Sequence, residues 1–191
     1  IDEDIKQINE KGIAVYLHQM EQNHLGKGFW EFSLVNQLES SSINNNAYNV
    51  YLAAQCYNNA PAFLSKSMKI SSLIEQRGDV HHIFPKKYLT KNGFIPKQYN
   101  QVANFVYTEQ ATNIKVGMQT PQDYLAKVKN EIENQVFDIS SLDTLVGLEE
   151  NLGSNDIPKT LEHATHLDYN DFLTERRKLI AAKIKTYYEQ L

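Results

Sequence analysis

Only two short segments of this chain have the composition of β-strands, and helical patterns dominate the rest. Residues 80–84 and 102–107 are rich in β-branched and aromatic residues. Elsewhere, apolar residues recur at the three- and four-residue spacing of amphipathic helices. We therefore predict a mainly α chain, α+β overall, with a small β element near its middle.

The segment between the two predicted strands, residues 85–101, is long and irregular. It contains Gly93, two prolines and four lysines. Long segments without regular structure inside compact domains are often functional. We therefore expect chemistry near the two strands rather than on the helices.

Capping residues and apolar spacing predict the main helices. Thr120 followed by Pro121 is typical of a helix start, and the helix that follows has an apolar face formed by Tyr124, Leu125, Val128 and Ile132. A last helix is predicted at about residues 170–190, with its charged residues, Arg176 among them, on a solvated face. The acidic stretch at residues 140–158, which contains Gly147 and Gly153, is predicted to be a loop.

Three parts of the chain are expected to form one compact domain. Residues 1–76 are a helical part packing on the core, residues 77–130 contain the core with both strands, and residues 131–191 supply a loop and a helix. Because the helical pattern starts at once at Ile1, we expect a domain cut from a longer protein. No apolar run approaches the roughly 20 residues that span a bilayer, and the single cysteine, Cys56, favours a reducing compartment. We expect a cytoplasmic protein without a membrane partner.

Charge is unevenly distributed along the chain. The net charge is -4, which argues against a protein that coats nucleic acid nonspecifically. Residues 77–129, however, hold eight basic and three acidic side chains. This basic segment in an acidic chain points to a local site for a polyanion, although chance clustering of solvated lysines explains the charge alone equally well.

Two adjacent histidines stand at the end of the first predicted strand. Asp79 precedes His81 and His82, and Pro85 forces the chain out of the strand soon after them. Neighbouring side chains on a strand point to opposite faces, but a bend at the strand end can bring both to one site. One imidazole can then bind a divalent ion while the other takes a proton from water. Asn113 is a candidate oxygen ligand, and Asn104 a candidate to hydrogen-bond across the two strands.

The middle of the chain resembles the HNH nucleases, also called His-Me finger or ββα-metal nucleases. The resemblance covers the runs DVHHIFP at residues 79–85, VANFV at 102–106 and NIK at 113–115. Further runs, including PQDYL at residues 121–125 and FLTERRKLI at 172–180, look like the C-terminal nuclease domain of GmrSD-type proteins. In those bacterial systems, which restrict modified phage DNA, the domain follows a ParB-like nucleotide-hydrolysing domain. The resemblance implies a small ββα-metal core within the mainly helical chain.

The same resemblance implies a role for each residue. His82 would be the general base that activates water, and Asn104 would order the hairpin. His81 and Asn113 would bind the metal, with Asp79 either a further ligand or a support for His81. Many HNH enzymes have aspartate where this chain has His81, and colicin-type nucleases have histidine where it has Asn113, so the site would be a hybrid.

The implied cofactor is a divalent metal ion and the implied substrate is DNA. Mg²⁺ is the expected ion, while an imidazole ligand also accepts Mn²⁺, Ni²⁺ or Zn²⁺. Lys86, Lys87 and Lys115 are candidates to hold phosphates near the scissile bond, though each could serve solubility alone. Phosphodiester hydrolysis needs a base and positive charge at the phosphate, which one imidazole and one metal can supply.

Two other functions remain open from the sequence. The first is a catalytically silent or regulatory nucleic-acid-binding module that keeps the HNH-like fold; the acidic charge and the histidine in place of aspartate favour it somewhat. The second is a domain with a purely structural metal, which ranks lower because no closed set of four ligands is visible.

Overall fold

The computed structural model describes residues 1–78 and 80–191 as a mostly helical chain with one small sheet. This confirms the prediction of a mainly α chain with a small β element. The two strands are β1 (Val80–His82) and β2 (Phe105–Tyr107). The α-helices of the described part are α1 (Asp2–Lys11), α2 (Ile13–His24), α3 (Leu34–Gln37), α4 (Asn46–Tyr57), α5 (Ile70–Glu75), α6 (Lys86–Lys91), α7 (Pro96–Tyr99), α8 (Gln110–Val116), α9 (Pro121–Asn134), α10 (Leu145–Ser154) and α11 (Tyr169–Glu189). A π-helical turn at Phe29–Ser33 and 3₁₀ turns at Val102–Asn104 and Lys159–His163 complete the regular structure there.

The two strands pair antiparallel and are shorter than predicted. His81 lies opposite Val106 and His82 lies opposite Phe105. The second predicted strand begins three residues late because residues 102–104 form a 3₁₀ turn, in which the Asn104 backbone N–H donates to the Gln101 carbonyl at 2.7 Å. Asn104 therefore lies just before β2 rather than on it.

The predicted helix after Thr120 is confirmed. The Thr120 hydroxyl accepts a hydrogen bond from the Asp123 backbone N–H at 3.0 Å, which is the N-cap bond expected of threonine. The apolar face of α9 is buried as predicted, at Tyr124, Leu125, Val128 and Ile132. Its Tyr124 hydroxyl donates to the Ile83 carbonyl at 3.1 Å, so α9 contacts the chain directly after β1.

The prediction of a loop at residues 140–158 is wrong, because α10 lies within it. Thr144 caps this helix by accepting from the Gly147 backbone N–H at 3.0 Å. Asn151 is buried, accepts from the Leu64 N–H at 2.9 Å and donates to the Ala62 and Ser65 carbonyls. The helix is thus fixed by tertiary hydrogen bonds that apolar periodicity does not register.

One hydrophobic core runs through the domain from Leu34 to Ile184. The last helix, α11, contributes Phe172, Leu173, Ile180 and Ile184 to this core. Leu179, which the helical spacing also predicts on the core face, is exposed. Helices α1 and α2 have no buried residue, and Gly12, with φ 83°, separates them. Within residues 1–76, the fully buried part of the core therefore begins at α3.

Arg176 on α11 is fully buried, which corrects the expectation that it lies on a solvated face. Its exposed fraction is 0%. One terminal nitrogen donates to the Ala103 carbonyl at 2.9 Å and to the Phe105 carbonyl at 2.8 Å, and the other donates to the Asn155 carbonyl at 3.1 Å. Arg176 therefore connects the last helix to the backbone on both sides of Asn104.

Among the helices within residues 1–78 and 80–191, none is both long enough and apolar enough to cross a membrane.

Candidate functional site

The two histidines lie side by side on β1, and both are partly exposed. His82 packs between two aromatic rings in edge-to-face geometry. The centroid of its imidazole is 5.2 Å from that of Phe105, its partner across the sheet, and 6.1 Å from that of Tyr99. These contacts fix the His82 ring against the core while part of the side chain reaches solvent.

His82 has one polar partner that the sequence analysis did not identify. Its Nε2 atom lies 3.0 Å from the side-chain oxygen of Asn100, the residue that follows α7. Burial lowers the pKa of His82, the Asn100 hydrogen bond opposes this shift, and the charges of Lys86 and His81 lower the pKa further. The lowered pKa favours the neutral imidazole, which is the form that can accept a proton.

Asn104 is fully buried and connects the end of α7 to the chain that follows β1. Its side-chain oxygen accepts from the Phe84 N–H at 2.8 Å, and its side-chain nitrogen donates to the Phe84 carbonyl at 3.2 Å and to the Tyr99 carbonyl at 3.1 Å. Because the amide uses both of its functions, Asn104 ties the strand exit to the end of α7. This arrangement fixes the backbone two residues after His82 and the residue directly before Asn100.

Asn113 and Asp79 complete the set of candidate metal ligands. Asn113 is partly buried on α8, a helix that starts three residues after β2 ends. Asp79 lies outside the described residues. Across residues 1–78 and 80–191, no three His, Cys, Asp or Glu side chains come together in a group that could hold a metal ion. Among the described residues, a metal bound to His81 would therefore need donors of another kind, such as an amide oxygen.

The three candidate lysines differ in their surroundings. Lys86 and Lys87 are exposed at the start of α6, and the Lys86 ammonium lies 5.5 Å from the centre of the Tyr99 ring. Lys115 instead forms an ion pair with the Asp138 carboxylate at 2.8 Å and donates to the Asp138 carbonyl at 2.7 Å. Lys86 thus lies beside Tyr99, one of the two rings that contact His82, whereas Lys115 already has an anionic partner.

Two residues that position this site went unrecognised in the sequence. The segment 85–101, predicted to be irregular, contains α6 and α7, because short helical turns leave little apolar periodicity in the sequence. Asn100 directly follows α7, and no pattern distinguishes it from its neighbours. Arg176 carried a usable signal, because it lies four residues after Phe172 and four before Ile180, on the same helical face. Its spacing predicts burial, and only its charge argued for solvent.

No protein-family model, no curated protein and no solved structure matches the chain.

Proposed function

We propose that this chain is a metal-dependent DNA endonuclease domain of the HNH type, with its ββα-metal core formed by β1, β2 and α8. The observation that carries the proposal is the position of His82 on a short hairpin, whose exit the buried amide of Asn104 holds by two hydrogen bonds to Phe84. Burial lowers the pKa of this imidazole, which favours the form that accepts a proton. The order of the elements supports the same assignment. Both histidines lie on β1, Asn104 directly precedes β2, and Asn113 lies on the next helix, α8.

The proposed mechanism gives each residue one task. His82 takes a proton from water, and the resulting hydroxide attacks the phosphorus while the bond to the 3′ oxygen breaks. His81 and Asn113 would hold the divalent ion, which supplies positive charge for the oxyanion and the leaving oxygen. An imidazole and an amide oxygen suit Mn²⁺, Ni²⁺ or Zn²⁺ and leave room for the waters that Mg²⁺ retains.

The lysines and the wider context belong to the same proposal. Lys86 and Lys87 would bind phosphates beside the scissile bond, and Lys115 would do so only after leaving Asp138. The domain would act in the cytoplasm of a bacterium, joined to a ParB-like nucleotide-hydrolysing domain, in a system that restricts modified phage DNA. The resemblance of the runs around His82, Tyr124 and Arg176 supports this context.

Plasmid cleavage tests the proposal. Supercoiled DNA is incubated with the chain and Mg²⁺, Mn²⁺ or Ni²⁺, with EDTA as the metal-free control. We expect nicking that requires the ion, is lost in His82→Ala, and persists in His163→Ala, a variant of an exposed histidine on the 3₁₀ turn before α11. Circular dichroism of both variants separates loss of the base from loss of the fold. Full activity of a folded His82→Ala protein would exclude His82 as the base.

A silent nucleic-acid-binding module is the second candidate, favoured by the acidic charge and by the ion pair that occupies Lys115. This module would bind DNA in fluorescence anisotropy without cutting it in any of the three ions. Cleavage by the native chain excludes it.

A further inference from the structure

The hydrogen bond between His82 and Asn100 determines where the imidazole carries its proton. The Asn100 side-chain oxygen, 3.0 Å from Nε2, can only accept a hydrogen bond. A neutral imidazole has one N–H and one lone pair, so an acceptor at Nε2 places the proton there. The lone pair is then on Nδ1, which becomes the nitrogen able to accept a proton.

The backbone that carries Asn100 is held from several sides. The Asn100 N–H donates to the Pro96 carbonyl at 3.0 Å. The carbonyl of Tyr99 accepts from the Asn104 side chain at 3.1 Å and from the Tyr169 hydroxyl at 3.3 Å. The Asn100 side chain is therefore presented by a loop that is fixed to the core rather than by a free surface segment.

Asn104 connects the two ends of this arrangement. One side of its amide binds Phe84, two residues after His82, and the other binds the carbonyl directly before Asn100. The same buried side chain therefore holds the backbone near the imidazole and the backbone next to its hydrogen-bond acceptor. The rings of Phe105 and Tyr99 restrict rotation of the imidazole.

We infer that Asn100 is a positioning residue for His82: it keeps the proton on Nε2 and orients the ring so that Nδ1 takes the proton from water. This inference rests on the proposed function for its catalytic meaning. The tautomer itself does not depend on cleavage, so it can be measured separately.

Nitrogen NMR of the metal-free chain tests the tautomer directly. Long-range proton–nitrogen spectra at a pH where His82 is neutral distinguish a protonated Nε2 from a protonated Nδ1, and His82→Gln assigns the signals. We expect the Nε2–H form in the native chain and in Asn100→Asp, which keeps an acceptor oxygen. Asn100→Leu should shift the nitrogen signals toward a mixture of the two forms. A native chain with its proton on Nδ1 would overturn the inference.

Cleavage kinetics test the consequence. We expect Asn100→Leu to lower kcat by about 10–100-fold with little change in KM for DNA, because the substrate does not bind through Asn100. Asn100→Asp should recover most of the rate, while Asn134→Leu, at the exposed end of α9, should behave as native. An unchanged kcat in a folded Asn100→Leu protein would contradict the positioning role.

The two experiments also separate the inference from the function on which it rests. A native chain with the Nε2–H tautomer that never cuts DNA would refute the nuclease and support the hydrogen-bond assignment. A native chain that cuts DNA with the Nδ1–H tautomer would support the nuclease and refute the role of Asn100.

Discussion

Arg176 allows the sharpest test of how the last helix supports the hairpin. Replacing it with methionine keeps a long, flexible side chain but removes the donors to three backbone carbonyls, two of which flank Asn104. Since the guanidinium is 0% exposed, water cannot replace these hydrogen bonds without opening the core.

The expected loss follows from two opposing contributions. The Asn155 carbonyl still accepts from the Tyr51 hydroxyl at 3.3 Å, so the substitution removes the donor of two carbonyls, those of Ala103 and Phe105. Each buried carbonyl left without a donor costs about 1–3 kcal/mol. Methionine in turn avoids the desolvation of a buried charge, and within the described residues the Arg176 Nε atom has no hydrogen-bond partner even in the native chain. Two such carbonyls cost about 2–6 kcal/mol, and the avoided desolvation offsets part of this cost. We therefore expect Arg176→Met to lower the free energy of unfolding by about 3 kcal/mol.

Urea unfolding followed by circular dichroism measures this loss. With a slope of about 2 kcal/mol per molar urea, the midpoint should fall by about 1.5 M. Lys178→Met is the matched control, because Lys178 is exposed on the same helix two residues later. If Arg176→Met shifted the midpoint no more than Lys178→Met, the three hydrogen bonds would not support the fold as argued.

Three further changes have expected outcomes in the same unfolding assay. Asn104→Ala removes three buried hydrogen bonds and should cost about 2–4 kcal/mol, against almost nothing for Asn134→Ala; equal effects would contradict the stabilising role of these bonds. Burial raises the pKa of Asp156 above 3.8 although Lys183 opposes the shift, so its protonated form stabilises the fold at low pH. The unfolding free energy of the native chain minus that of Asp156→Asn should therefore decrease as the pH rises from about 4 through that raised pKa. An increase would show that the Lys183 ion pair outweighs the effect of burial on this pKa. Thr120→Ala should cost about 1 kcal/mol through loss of the N-cap bond, which Thr120→Ser should restore; no difference between the two variants would exclude the cap.

Local signals in the sequence were sufficient for the elements that local interactions stabilise. The start of α9 follows from Thr120 and Pro121, since a hydroxyl cap and a fixed φ act within one turn. The position of β1 follows from the β-branched and aromatic residues of 80–84, although the strand ends at His82, two residues before the predicted end. Such predictions need no knowledge of what packs against the segment.

Residues fixed by distant parts of the chain were not predictable in this way. Helix α10 depends on Asn151, whose bonds reach the loop at residues 62–65. Asn100 contacts His82, eighteen positions earlier, only because the fold brings the end of α7 back to β1. The burial of Arg176 agrees with its helical spacing but not with its charge, which favours solvent. Its partners are backbone carbonyls, which no sequence pattern reveals.

The hairpin at the candidate site is too small to be ordered on its own. Each strand has three residues, and an isolated pair of strands is marginally stable in water even when longer. Its order comes from side chains outside the sheet: Asn104 binds the exit of β1, Arg176 binds the start of β2, and Tyr124 binds the Ile83 carbonyl.

These three side chains lie in separate parts of the chain, just before β2, on α11 and on α9, so the surrounding helices act as the frame of the hairpin. A base must be held to within a fraction of an ångström to act on a bound water, and a flexible hairpin would not meet that requirement. The geometry of His82 should therefore persist as long as the helical core does, and be lost in the same cooperative transition.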